Sequence, residues 1–141
     1  MPDLPRFHHA FPVHDLDAAR GFYGDLLGCP QGRHADHWVD FDLYGHQIVA
    51  HLDSSAADRI RSSSDVDGDN VPVPHFGLLL DPDDWQQLAD RLRDAGTDFV
   101  VEPHVRFAGE IGEQSTMFLL DPSGNALEFK AFADDAQVFA N

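Results

Sequence analysis

PHFGLLLDPDDWQQLADRLRDAG, residues 74–96, reads as a strand that runs directly into a helix. Trp85, Leu88, Ala89 and Leu92 recur at helical spacing, Asp81 and Asp83 stand at the helix head, and Gly96 supplies the stop. An earlier stretch, FHHAFPVHDLDAARGFYGDLLGC at residues 7–29, is built the same way. Its strand carries Pro12, which cannot donate to a ladder and so predicts an edge position or a strand end. Asp15 is its N-cap, Leu16, Ala19, Phe22, Tyr23, Leu26 and Leu27 form the apolar stripe, and Gly28 ends the helix.

The segments beyond the two helices also match. HWVDFDL and HQIVAHL are joined by Tyr44-Gly45 and read as a hairpin. In the second series DFVVEP is a strand and RFAGEIG is irregular, and STMFLLD and NALEFKAF form a hairpin around Pro122-Ser123-Gly124. His8 precedes Asp15 by seven residues, and His75 precedes Asp81 and Asp83 by six and eight. The order predicts two βαβββ modules, at about 6–53 and 73–131, within a single α+β domain spanning 1–141. The Ser- and Asp-rich stretch 54–72 is expected to be a linker or mobile loop, and 132–141 a tail. A sheet covered by a helix on one face only leaves its other face open. Pairing two such modules is expected to curve the mixed sheet around a cavity.

Composition narrows the partners. With 25 acidic and 9 basic residues the formal net charge is −16, which repels phosphate backbones and anionic lipid surfaces. Nucleic acid and membranes are therefore not expected as partners. Cys29 is the only cysteine, so no intrachain disulfide forms. Neither a bilayer-length apolar run nor a signal-peptide pattern occurs, and a cytoplasmic protein is expected.

The stretch DPSGNALEFK, residues 121–130, places a carboxylate in mid-strand. Leu127 and Phe129 share the face expected to meet the helix, which leaves Glu128 on the cavity side. If the modules are pseudo-symmetric, His8 and His75 are equivalent and face the same way. Two imidazoles and one carboxylate suit Fe(II), Mn(II), Zn(II) or Ni(II) and leave coordination positions open for catalysis.

FHHAFPVHDLDAARGFYGDLLGC, VPVPHFGLLL and TMFLLDPSGNALEFK, in this order, resemble the vicinal-oxygen-chelate superfamily of glyoxalases, extradiol dioxygenases and bleomycin-resistance proteins. The resemblance covers about residues 6–131 and implies paired βαβββ modules around a divalent metal. Carried over position by position, it gives His8, His75 and Glu128 as the metal ligands. His8 is taken over His9 by its spacing to Asp15. Val49 falls opposite Glu128 when Gly45 is aligned with Gly124, so the fourth ligand of glyoxalase I is missing here. His51, two residues on, shares that face.

The whole chain is most similar to small predicted extradiol-type dioxygenases, which implies Fe(II), a catechol-like substrate and a homodimer. His51, His104 and Arg106 are the catalytic candidates. The last two lie in HVRFAGEIGEQ, which reads either as a lid over the cavity or as a polar surface loop, with Arg106 placed to clamp a substrate carboxylate or to pair with one of the surface Asp. A glyoxalase-type lyase using Zn or Ni, or a binding protein without catalysis, are the alternatives.

Overall fold

The computed structural model describes residues 4–56, 62–66 and 69–141. They group into two compact units, Met1–Arg59 with Asp121–Asn125, and Ile60–Leu120 with Ala126–Asn141.

In the first unit β1 (His8–Val13) leads into a short helical segment, α1 (Leu16–Ala19), which widens to π-type turns over Arg20–Leu26. Strands β2 (Gln31–Ala35), β3 (Trp38–Leu43) and β4 (His46–Leu52) complete the sheet. Its order is β1-β4-β3-β2, with β1 parallel to β4 and the other pairs antiparallel. Pro12 therefore lies on an edge strand, as its missing N–H requires. The Asp15 carboxylate accepts from Ala18 N at 3.0 Å. Phe11 and Val13 are buried, and Phe11, Tyr23 and Phe41 pack ring to ring at 5.2–5.5 Å. This aromatic core fixes which face of β1 the helix covers.

Strand β2 carries no alternation, and every residue in it is exposed, so nothing in QGRHA distinguishes it from a loop. The stretch expected to be a linker contains β5 (Ser62–Val66) and β6 (Asp69–Val73), an antiparallel ribbon outside both four-stranded sheets. Residues 57–61 and 67–68 of that stretch lie outside the described residues.

The second unit repeats the first. Strand β7 (His75–Leu79), helix α2 (Pro82–Asp94), β8 (Val101–Arg106), β9 (Gln114–Leu120) and β10 (Ala126–Phe132) give the sheet order β7-β10-β9-β8. Trp85, Leu88, Ala89 and Leu92 are buried, and the Trp85 indole donates to Phe129 O at 2.8 Å. Leu127 and Phe129 are fully buried on this face, as the alternation predicts.

The turn after β9 is counted with the first unit. Buried Asp121 accepts from the Tyr23 hydroxyl at 2.7 Å and from Ser123 N and Asn125 N at 2.8 Å. Asn125 Nδ2 donates to Pro12 O at 2.7 Å, and Ser123 Oγ lies 2.7 Å from His14 Nδ1. The DPSGN turn is thus fastened to β1 and the first helix by hydrogen bonds that satisfy its buried polar groups.

Candidate metal centre

Sheet register decides what shares a face. In the second unit Glu128 stands opposite Gly77 on one side and Phe118 on the other. His75, Thr116 and Lys130 are on the same face by alternation. Gly77 is obligatory there: a Cβ at this position would fall 1.6 Å from Glu128 O. The close approach of β7 to β10 is what sets His75 against the carboxylate.

Glu128 is 6% exposed, and each of its oxygens has its own partners. Oε2 accepts from Thr116 Oγ1 at 2.5 Å and from Arg106 Nη1 at 3.3 Å. Oε1 lies 3.3 Å from His75 Nε2. Burial pulls the Glu128 carboxyl upward, but His75, Thr116, Lys130 and Arg106 together outweigh it and hold the group below the usual carboxylate range. The contact with Glu128 pushes the His75 imidazole above its ordinary value, against burial. Phe118 is fully buried between the two, its ring 4.9 Å from the His75 ring and 5.4 Å from the Arg106 guanidinium carbon.

His75 Nδ1 is 2.7 Å from Pro72 O. A carbonyl only accepts, so Nδ1 carries the hydrogen and Nε2 of the neutral ring presents a lone pair. With a proton on Nε2 the pair is an ordinary ion pair, which is the form the contact with Glu128 favours; with the ring neutral, a cation takes the proton's place between the two atoms. Two donors each about 2.1 Å from one ion and at right angles to each other are separated by about 3 Å. The His75–Glu128 spacing fits that requirement. The donor chemistry, neutral imidazole nitrogen and single carboxylate oxygen, suits a divalent first-row ion.

His8 belongs to the first unit. It is exposed on β1, on the face of Ala10 and opposite to that of Phe11, and its Nδ1 is 2.7 Å from Gln47 Oε1. His9 stacks on Phe11 at 5.7 Å on the covered side, which separates the two neighbouring histidines by face. Neither unit gathers three His, Cys, Asp or Glu donors within itself among the described residues. His51 is exposed on β4, and His104 is half-buried on β8 with Nδ1 2.7 Å from Glu102 O.

Arg106 requires a correction. It is not on a loop but ends strand β8, it is 4% exposed, and its guanidinium is engaged with Glu128. The expected lid is the turn 107–113, and it is tied down: Gly109 N donates to Glu113 Oε1 and Gly112 N to Gln137 Oε1, both at 2.8 Å. His104 likewise lies in the sheet rather than on that turn. Thr116 and Gln47 are site residues that the sequence alone does not single out. The available signal is register, since Gln47 stands directly opposite His8 and Thr116 directly opposite His104 on the neighbouring strand.

The registers also make the modules comparable. His8 pairs with Gln47 and Ala10 with Val49, just as His75 pairs with Ala126 and Gly77 with Glu128. Val49 therefore occupies the position equivalent to Glu128, and the first module offers no carboxylate there.

Repeated βαβββ modules with imidazole and carboxylate donors on the open sheet face define the vicinal-oxygen-chelate class. The profile of the Glyoxalase/Bleomycin resistance protein/Dioxygenase superfamily matches residues 6–129, and the chain belongs to that superfamily. A glyoxalase/bleomycin resistance protein/dioxygenase structure from Alicyclobacillus acidocaldarius is similar over 96% of both chains, with 35% identity and a TM-score of 0.80. The fold alone is shared with the fosfomycin resistance protein FosX of Listeria monocytogenes (14% identity, 91% of this chain and 93% of that one, TM-score 0.65). It is shared too with lactoylglutathione lyase of Agrobacterium tumefaciens (18%, 92% and 94%, TM-score 0.62). A comparison with curated proteins returns no match. Among the described residues no helix is long and apolar enough to cross a membrane.

Proposed function

We propose that the chain is a cytoplasmic, homodimeric, metal-dependent enzyme, an Fe(II) extradiol-type dioxygenase acting on a small catechol-like substrate. The observation that carries the metal is the juxtaposition of two potential ligand atoms, His75 Nε2 and Glu128 Oε1, at 3.3 Å on one face of the sheet, the carboxylate buried. His8 is assigned as the third ligand. When bound at these donors, a divalent ion supplies Lewis-acid polarisation of adjacent substrate oxygens and, as Fe(II), redox contact with dioxygen. Mn, Zn and Ni accept the same ligand set.

The protein's own share of the work is positional. Thr116 and Arg106 occupy Glu128 Oε2, so the carboxylate offers one oxygen and keeps other positions free. Phe118 walls the donors on the sheet side and keeps that side dry. The substrate's hydroxyl protons need an acceptor, a role this reading gives to His51 or His104. In the overall change a ring C–C bond beside the hydroxyls opens and both atoms of O₂ enter the product. The lack of a carboxylate at Val49 supports three ligands over the four of a glyoxalase-type lyase.

Untagged protein loaded anaerobically with Fe(II), with its iron content established, should consume oxygen with at least one member of a catechol panel. Iron-loaded protein that consumes none refutes the dioxygenase reading. Turnover of a hemithioacetal with Zn or Ni in the absence of O₂ would replace it with the lyase.

A further inference from the structure

The proposed metal centre requires His8 to present one particular nitrogen, and the first unit contains a device that decides which. Asp40 can only accept when ionised, and its Oδ2 receives Gln47 Nε2 at 3.1 Å. That bond fixes the direction of the Gln47 amide. Its carbonyl oxygen then faces His8 Nδ1 at 2.7 Å and must receive a hydrogen from it. Nδ1 carries the proton, and Nε2 is left with the lone pair. We propose that Gln47, oriented by Asp40, is a positioning residue that locks His8 in the tautomer whose Nε2 binds the metal.

The equivalent histidine of the second unit is locked in the same tautomer by a different group, the backbone carbonyl of Pro72. The position equivalent to Gln47 there is Ala126, which has no polar side-chain atom to offer, so the register alone does not impose the device. Each module has arrived at an Nδ1 acceptor by its own route. Supporting acceptors of this kind orient the ring and raise ligand basicity, and losing one costs about 10–100-fold in metal affinity. The Gln47–Asp40 pair is exposed and borders a recess of ≈ 250 Å³ that also touches Arg33, where water competes for the same bonds. The expected effect is therefore at the low end, about tenfold.

The test uses the full chain without metal and then with Zn(II). Nitrogen-15 NMR of the neutral histidines should report His8 protonated at Nδ1 in the unaltered protein. Gln47→Leu should shift His8 towards the Nε2–H form and weaken Zn(II) binding about tenfold. The double variant Gln47→Glu with Asp40→Asn keeps an acceptor against His8 and a donor behind it, and should restore both the tautomer and the affinity. Gln47 is exposed and Asp40, half-buried on the same open face, is replaced by an isostere, so neither change threatens the core.

An Nε2–H form of His8 in the unaltered protein overturns the proposal. So does Gln47→Leu with unchanged affinity, whether or not the tautomer moves, and so does failure of the double variant to restore affinity. His8→Ala separates this from the three-ligand reading. If that variant binds Zn(II) as tightly as the unaltered chain, the ligand assignment itself has failed, and with it the reason for the relay. If it abolishes binding while Gln47→Leu does not alter it, only the relay has failed.

Discussion

The two βαβββ modules have the same strand order and the same register, and they use the open face of the sheet differently. In the first, His8, Val49 and His51 line a face where the histidines are exposed and the central position is an aliphatic side chain. In the second, the same central position is Glu128, buried with Thr116 and Arg106. The backbone scaffold is duplicated, and the chemistry is not. A carboxylate can be buried in the second module because Arg106 and Thr116 satisfy it. The position in the first module that corresponds to Thr116, by its cross-strand partner, is Trp38.

The largest effect should come from the glycine that distinguishes the modules. Ala10 in β1 is the counterpart of Gly77 in β7, so one module carries the methyl group that the other excludes. Gly77→Ala would drive a Cβ into Glu128 O, an overlap with backbone that no rotamer relieves. We expect destabilisation of about 2–4 kcal/mol by urea unfolding, with loss of metal binding, whereas Ala10→Gly should cost no more than about 1 kcal/mol. Equal effects at the two positions would mean that the close approach of β7 to β10 is not what seats His75 against Glu128.

That contrast also marks what the amino-acid order discloses. The repeat is legible because each strand–helix junction carries its own punctuation: a histidine strand, an aspartate cap, an apolar stripe and a glycine stop. Glu128 is legible because Leu127 and Phe129 claim the opposite face, leaving it one direction. The fully exposed β2 is not, since an edge strand with no buried face writes no period into its residues. The β5–β6 ribbon is not legible either, because it is made largely of residues with low strand propensity. Arg106 is hard to place for a related reason. Pro103 interrupts the pattern of β8, and the register shifts between Val101 and His104, so alternation cannot be followed to the strand's end.

A second difference lies in what fastens each unit. The first has a buried tyrosine–carboxylate pair, whereas the second joins helix to sheet by the Trp85 indole, which does not ionise. Burial, and then the Asp121 charge and hydrogen bond, push the Tyr23 hydroxyl well above its ordinary value. The folded state thus holds this proton more tightly than the unfolded chain. The contribution is whole below about pH 10, the unperturbed tyrosine value, and is lost as the pH climbs from there through the folded value. Tyr23→Phe should cost about 1–3 kcal/mol at neutral pH by leaving Asp121 short of a donor. The stability gap between the two proteins should then close as the solution is made alkaline. A gap that stays constant through the alkaline range would show that the hydroxyl proton is not held more tightly in the folded state.

The smallest effect should separate the two helix caps. Asp81 accepts from both Asp83 N and Asp84 N at 3.1 and 3.2 Å, ahead of a 13-residue helix with Pro82 at its first position. Asp15 accepts only from Ala18 N, ahead of four α-helical residues that pass into π-type turns. Replacing an aspartate cap by alanine typically costs about 1 kcal/mol. Asp81 also works against itself: chiefly its charge, then its side-chain hydrogen bond, and least the charge of Asp83 raise the exposed Asp84 carboxyl above the ordinary value. Asp81→Ala loses two hydrogen bonds but relieves that repulsion on Asp84, while Asp15→Ala loses one. The two costs should therefore lie closer together at low salt than the number of lost hydrogen bonds suggests. Added salt screens the acidic cluster, and the Asp81→Ala penalty should then grow beyond that of Asp15→Ala. Unfolding at two salt concentrations reads the difference. If the Asp81→Ala penalty shrinks as salt is added, the repulsion does not offset the second bond, and the caps differ only in how many N–H groups they satisfy.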